Sequence, residues 1–256
     1  MITVPSEFRL VFDTIPDQFD RYRPTYCDAL YADLIPYAGI GPGVSVLELG
    51  PGTGQATEPI LRTGCDDHAI ELGKHLAARL KEKFDSYVNF HLTVADFITH
   101  DFCDQRFDMI FSAAAIQWIP EEIAFTKTFR LLKPGGTLAM MMIHGDYRSG
   151  NEALYQRIQQ VYARHWKPEE PYRIRFRYDG AVNYGYTDYN RREYLSSRTM
   201  DADTFAAHAG THADHINIPE PDRTLFLQGL RDAVNEYGGS VTYRDTHVLI
   251  TAKRPL

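Results

Sequence analysis

The sequence predicts an α/β protein, a doubly wound and largely parallel sheet with a lid-like insert, on three observations. Val44, Val46, Leu47 and Leu49 form a near-continuous apolar run, as in a central parallel strand covered on both faces, and the run stops at Gly50, Gly52 and Gly54. Short apolar runs then alternate with helical patterns as far as residue 145. Residues 167 to 200 break that rhythm with Pro168, Pro171, Gly180 and Gly185 and hold six tyrosines.

Composition fits such a fold. With 256 residues, 44% hydrophobic and 24% charged, the chain is long enough for one large α/β domain. A net charge of −7 argues against a polyphosphate partner held by the overall field, so no nucleic acid is expected. Cys27, Cys65 and Cys103 are too few and too widely spaced for a zinc pair or a disulfide framework, and are expected as free thiols. Residues 1 to 9 have no apolar leader-like core, and no run approaches eighteen apolar residues. The expectation is a cytoplasmic protein with no membrane partner; nothing in the sequence sets its oligomeric state.

From the N-terminus, residues 8 to 25 read as an irregular or weakly helical arm rich in Phe, Tyr, Asp and Arg. Tyr26, Leu30 and Leu34 mark an amphipathic helix ending near Pro36 and Gly39. The strand at 44 to 49 gives way to the glycine loop, where alternate glycines permit positive φ and leave no Cβ between backbone and ligand. A helix beginning within Gln55 to Arg62 points its free N–H groups at the same spot. Residues 68 to 72 are the second strand, Lys74 to Phe84 a helix with Leu76, Leu80 and Phe84 on one stripe, and Tyr87 to Val94 the third strand. Phe107 to Ser112 is the fourth, followed by the small residues Ala113, Ala114 and Ala115. Glu121 to Leu132 is an acid-led helix, closed by Lys133-Pro134-Gly135-Gly136 before a strand over Leu138 to Ile143. Helices are expected over 151 to 166, 203 to 209 and 220 to 237, and a last strand over 241 to 252.

The loop spacing selects the ligand. Nicotinamide sites carry G-x-G-x-x-G, whereas here the third glycine follows after two residues and Glu48 stands two ahead of the first. E-L-G-P-G-T-G resembles the first motif of the class I S-adenosylmethionine-dependent methyltransferases. F-D-R-Y-R-P-T-Y and S-A-A-A-I-Q-W-I-P resemble segments of their small-molecule branch, such as the trans-aconitate type, and the latter departs from the N-P-P-Y segment of many DNA adenine methyltransferases. The resemblance implies a Rossmann-like seven-stranded mixed sheet with its last strand antiparallel. It implies a single domain over 1–256: arm and first helix (1–40), cofactor-binding core (41–145), insert or acceptor region (146–215), and closing helix and strand (216–256).

The resemblance also implies S-adenosylmethionine as cofactor. Glu48, Gly50, Pro51, Gly52, Thr53, Gly54 and Gln55 would wrap its methionine and ribose. Glu71, 21 residues past Gly50, would accept from the ribose hydroxyls, with Leu72 beside it. Asp96 and Phe97 would receive the adenine, and Ala113, Ala114 and Gln117 would lie beneath the sulfonium. Tyr22 and Arg23 would cover the cofactor, although an aromatic anchor and a solvated charge explain them equally well.

Trp118, Tyr172, Tyr178 and Tyr184 are the candidates for a small-molecule acceptor pocket. His144, at the expected strand end, is the candidate base, since imidazole titrates near neutrality. A carboxylate acceptor would need no base and could be oriented by Arg23. His208, His212 and His215 lack a cysteine or paired acid at ligand spacing, so no metal is expected. A nicotinamide oxidoreductase and a catalytically silent S-adenosylmethionine-binding module remain the alternatives.

Overall fold

The N-terminal arm folds as short helices, α1 (Ser6–Leu10) and α2 (Pro16–Tyr22), joined by a 3-10 turn, Val11–Thr14. Pro16 suits the first turn of α2, where its missing N–H is not needed. Helix α3 (Asp28–Ala38) ends at Gly39 with φ 65°, the left-handed cap that glycine adopts without a Cβ clash. In this computed structural model, residues 6–148, 151–166 and 176–256 are described.

The next elements alternate as expected: β1 (Ser45–Leu49), α4 (Thr57–Leu61), β2 (Asp66–Glu71), α5 (Lys74–Phe84), β3 (Phe90–Val94), β4 (Phe107–Ala113), α6 (Glu121–Leu131) and β5 (Leu132–Asp146). After them come α7 (Glu152–His165), β6 (Thr187–Asp201), α8 (Ala202–Ala209), α9 (Ala213–Ile216), α10 (Asp222–Glu236) and β7 (Ser240–Lys253). Asn151 and Asp201 cap α7 and α8 by accepting from Leu154 and Thr204 N–H.

The strands form one seven-stranded sheet in the order β3-β2-β1-β4-β5-β7-β6. β1 to β5 pair in parallel, and the last strand, β7, is antiparallel to both β5 and β6. Alternation sends Leu47, Leu49, Ile110, Leu138 and Met140 into a core shared with Phe125 of α6. Val46, Met109, Phe111, Ala139 and Met141 face the opposite core, under Leu30 and Leu34 of α3 and Ile60 of α4. Covering both faces explains the continuous apolar strands.

The last three strands are long, and their ends overhang the carboxyl edge of the parallel strands: β4 stops opposite Met141 while β5 runs on to Asp146. The overhang carries a second core, in which Met200, Val241 and Tyr243 pack against Leu154 and Ile158 of α7, Phe205 of α8, and Phe226 and Leu230 of α10. Ligands of open α/β sheets lie at this carboxyl edge, and the second core stands beside it.

The tyrosine-rich stretch differs from expectation. Residues 187–201 form the edge strand β6, and Tyr178–Tyr184 is a 3-10 segment packed on α6. As a solvent-facing edge, β6 is largely exposed on both faces, so it lacks the apolar alternation by which a strand is read. The cover over the ligand edge is instead the arm. Asp13 accepts from the N–H groups of His75 and Leu76 at the start of α5, at 2.7 and 2.9 Å, while Asp17 and Asp20 pair with Arg79 and Lys83.

Candidate functional site

The carboxyl ends of β1, β2, β3 and β4 meet the arm around a cavity of about 280 Å³, close to the lower end of the roughly 300 to 1,000 Å³ of small-molecule sites. Its floor is the glycine loop. Gly50 and Gly52 both have φ 63°, and Gly50 N–H donates to the Ile70 carbonyl at 2.9 Å. A Cβ on Gly50 would stand 2.6 Å from the Ala115 Cβ, and one on Gly52 3.0 Å from the Phe19 ring. Gly50, Pro51, Gly52 and Gln55 line the cavity. Gly54 and Thr53 do not: Gly54 is where α5 approaches, with Phe84 and Leu80 against it, and Thr53 is buried with its hydroxyl accepting from Gln55. Glu48 points to the far face of β1, fully buried and accepting from Thr57 Oγ1 at 2.7 Å. Burial beside Asp67 pushes the Glu48 carboxyl well up, so it serves the core and not the cavity.

Glu71 and Leu72 line the second wall. The Glu71 Oε2 accepts from Gly52 N–H at 2.9 Å and Oε1 from Gly73 N–H at 2.8 Å. Burial lifts this carboxyl to about 7, against the pull of those N–H groups. Each oxygen keeps a free lone pair, enough for two vicinal hydroxyls.

Ala95 and Phe97 continue the wall, but Asp96 does not line it. Its oxygens are held by Arg9 of the arm, Nη1 to Oδ2 at 2.8 Å and Nη2 to Oδ1 at 2.6 Å, with Ile98 N–H donating to Oδ1. The guanidinium keeps the Asp96 carboxyl below its usual range. Arg9 lines the cavity itself. No motif in the sequence flags it, because its partner lies 87 residues away.

Ala113, Ala114, Ala115, Gln117 and Trp118 form the third wall. Ala114 takes φ 53° and donates to the Met141 carbonyl at 2.8 Å, a left-handed turn that a small residue tolerates best. The Gln117 amide donates to the Ala114 carbonyl, and Tyr178 Oη donates to Gln117 Oε1 at 3.3 Å. Tyr178 therefore acts one layer behind the cavity. Tyr184 stacks on Phe125 away from it, and Tyr172 lies outside the described residues. Trp118 meets Phe12 edge-on at 5.5 Å, and Phe12 meets Phe19 likewise, so arm and third wall close on each other through aromatic contacts. Tyr26 and Ile143 complete an apolar corner.

His144 is not part of the site. β5 continues past it, it pairs with Thr246 as an exposed strand residue, and alternation turns Ile143 inward instead. Tyr22 also stays outside; its carbonyl faces His208 Nδ1 at 3.0 Å.

Arg23 does line the cavity. Its guanidinium lies over the Phe12 and Phe19 rings, at 5.6 and 5.3 Å, and donates to the Thr211 carbonyl at 3.1 Å, while Nε has no partner among the described residues. No carboxylate pairs with it among those residues, and burial lowers it to about 10. An enclosed cation without a counter-charge suits an anionic ligand group. The three histidines stand behind it: His208 faces His212 at 5.0 Å and His212 faces His215 at 5.3 Å. His215 Nδ1 faces the Ala209 carbonyl, His208 Nε2 faces Arg198, and burial with Arg198 and Arg23 lowers His208 to about 4. Two neighbouring cations make this a poor place for a metal ion.

These walls offer what an adenosyl and amino-acid ligand requires: two lone pairs for a diol at Glu71, bare backbone at Gly50 and Gly52, and a cation at Arg23. Known proteins of similar fold and sequence lead the same way. The phosphoethanolamine N-methyltransferase 2 of Haemonchus contortus, solved in complex with S-adenosyl-L-methionine, superimposes with a TM-score of 0.55 over 100% of this chain and 61% of that one; at 16% identity the likeness is one of fold. Phosphoethanolamine N-methyltransferase 2 of Caenorhabditis elegans is 34% identical over 112 residues, 41% of this chain and 25% of that protein. Malonyl-[acyl-carrier protein] O-methyltransferase of Marinomonas sp. is 31% identical over 129 residues, 49% of this chain and 47% of that protein. The chain thus spans less than half the length of these curated relatives. Residues 47–140, which hold the glycine loop, Glu71, Asp96 and the small-residue wall, match the family described as a methyltransferase domain.

Proposed function

We propose that the protein is an S-adenosylmethionine-dependent methyltransferase that alkylates a small-molecule acceptor. The observation that carries this reading is the sharing of one cavity by Gly50 and Gly52, Glu71, Ala95 and Phe97, and Ala113 to Ala115. When bound, the cofactor supplies a methyl group already activated at a sulfonium centre. Glu71 would take the ribose hydroxyls, Phe97 and Ala95 would flank the adenine, and Arg23 would face a carboxylate.

The work left to the protein is alignment and exclusion of water, and such positioning is worth on the order of 7 to 11 kcal/mol. Phe12, Phe19, Trp118 and Ile119 supply the water-excluding wall. Among the described residues that line the cavity, none is a histidine, lysine or cysteine, burial holds the Tyr26 hydroxyl well above its ordinary range, and the one carboxyl, Glu71, is the group we assign to the ribose. That inventory favours an acceptor that arrives as a nucleophile, such as a carboxylate or a free amine, over one that must be deprotonated in place. The resemblance to the trans-aconitate type and the acidic net charge support a small acceptor over a nucleic acid. No described helix is long and apolar enough to cross a membrane.

Incubation of the purified protein with S-adenosylmethionine carrying a labelled methyl group and a metabolite extract tests the reading. A labelled small molecule is the expected result. Tight cofactor binding with no labelled product across extracts would instead identify a silent binding module. Binding of a nicotinamide dinucleotide in place of S-adenosylmethionine would overturn both.

A further inference from the structure

The geometry points to a divalent transition-metal site at the amino edge of the sheet, formed by Asp66, His68 and His91, which clips β2 to β3. Asp66 opens β2, and His68 comes two residues later on the same face. His91 is the register partner of His68 across the parallel pair. The two imidazole rings lie 4.8 Å apart at 34°, and both Nε2 atoms turn to the same carboxylate: His68 to Oδ2 at 3.0 Å, His91 to Oδ1 at 2.7 Å. One ligand atom from each residue falls within 4.8 Å of the others, and among the described residues this is the one group of three that does so.

Those spacings suit a small ion. Around zinc, with bonds of about 2.0 to 2.1 Å, neighbouring tetrahedral ligands stand roughly 3.3 Å apart. The two N···O gaps, 3.0 and 2.7 Å, need to open by about 0.3 and 0.6 Å, and the widest ligand-atom gap, at most 4.8 Å, to close by at most about 1.5 Å, within reach of partly exposed side chains, while each imidazole moves its proton to the solvent side at Nδ1. Two imidazoles and one carboxylate favour zinc, nickel, cobalt or copper over magnesium or calcium, which prefer oxygen donors. His68 is held from behind by the edge of Phe107, with ring centroids 5.6 Å apart, and the three side chains remain partly exposed, so an ion has an approach. Among the described residues no arginine or lysine forms an ion pair with Asp66, in contrast to the histidines behind Arg23.

The placement gives the site a consequence. β2 ends at Glu71 and β3 leads to Ala95 and Phe97, so the ion would fasten the opposite end of the strand pair that leads into the adenosine wall. The site lies outside the cavity and does not depend on the methyltransferase reading.

Calorimetry with zinc chloride alone, on the full chain and on His91→Ala, tests it. Saturable binding of one ion per chain, weakened at least about tenfold in His91→Ala, is expected, together with a zinc-dependent rise in Tm that the variant lacks. Cobalt chloride should give the visible bands of a four-coordinate site in the wild type and lose them in both His91→Ala and Asp66→Asn. Should His91→Ala fold poorly, His91→Gln keeps the strand residue polar and removes the ligand. No saturable zinc binding, or equal affinity in wild type and variants, would overturn the site and leave a plain His-Asp-His hydrogen-bond cluster.

Discussion

The strands on the two sides of the sheet are used differently. On the β1 to β4 side they are five to seven residues long and end together, and the residues just past each end face the cavity. On the β5 to β7 side they are 14 or 15 residues long, and their overhang is covered by α7, α8 and α10. Glu71 and Arg23 face the cavity, where Arg23 Nε has no partner among the described residues, while on the long-strand side Arg198 and Asp245 pair at 2.6 Å and Ser196 faces His247 at 2.8 Å, away from the cavity. The proposed ligand site is thus on the short-strand side, and the long-strand side adds two contacts to the arm, Thr211 to Arg23 and His208 to Tyr22, beside those from α5 and Asp96.

The division breaks most visibly if damage to the long-strand side abolishes cofactor binding. Arg198→Met leaves Asp245, 3% exposed, without its cation, and should lower stability by about 3 kcal/mol. Urea melts should record that loss while S-adenosylmethionine affinity in the folded fraction stays within a few-fold of wild type. A collapse of affinity in a folded variant would merge the two sides into one functional unit.

Gly52→Val makes the converse case. A β-branched residue at φ 63°, 3.0 Å from Phe19, strains the loop and lifts the arm, and the expected loss of cofactor affinity is about 2 to 3 kcal/mol, roughly a hundredfold. The helical circular dichroism should be little changed. Retained affinity would show that the loop does not cradle the ligand.

Arg9→Ala carries the smallest expected effect. It removes the bidentate contact to Asp96, a partly exposed pair worth about 0.5 to 1 kcal/mol. Hydrogen exchange over residues 8–23 should quicken, with a several-fold or smaller change in affinity. Unchanged exchange would mean that the remaining contacts of the arm hold it without the Arg9 pair.

The same division governs how much is legible in the sequence alone. On the short-strand side each signal is local: an apolar strand, then glycines or an acid at its end, as at Leu49-Gly50 and Ile70-Glu71. Of the cofactor candidates, Gly50, Pro51, Gly52, Gln55, Glu71, Leu72, Phe97, Ala113, Ala114, Gln117 and Arg23 line the cavity. Glu48 and Gly54 share the motif but serve the core and the packing of α5, a distinction that spacing does not carry. On the long-strand side the decisive facts are tertiary. β6 is an edge with polar residues on both faces, and in the 3-10 segment before it nothing local separates Tyr178 and Tyr184 from pocket residues, yet they pack behind the cavity or against α6. His144 reads as a strand end because the overhang of β5 depends on its antiparallel partner β7. The arm contacts of Arg9 and Asp13, 87 and 62 residues from their partners, leave no local trace at all.

Whether Glu71 and its cavity hold the cofactor is decided by titration calorimetry of S-adenosylmethionine against pH, for wild type and Glu71→Gln. Burial raises Glu71 from 4.5 to about 7, so the ligand-free fold holds a proton that the unfolded chain has already lost. That contribution to stability is present below 4.5 and fades as pH rises to about 7. Binding of the ribose hydroxyls calls for the carboxylate and therefore runs the other way. Wild-type affinity should rise with pH up to about 7, by as much as about tenfold per unit, with a proton released on binding in that range, and then level off. Glu71→Gln should bind about 1 to 3 kcal/mol more weakly at neutral pH and lose the pH dependence. Absence of binding by the wild type at every pH, or a variant that binds as tightly with the same profile, would contradict the assignment of this cavity to the cofactor.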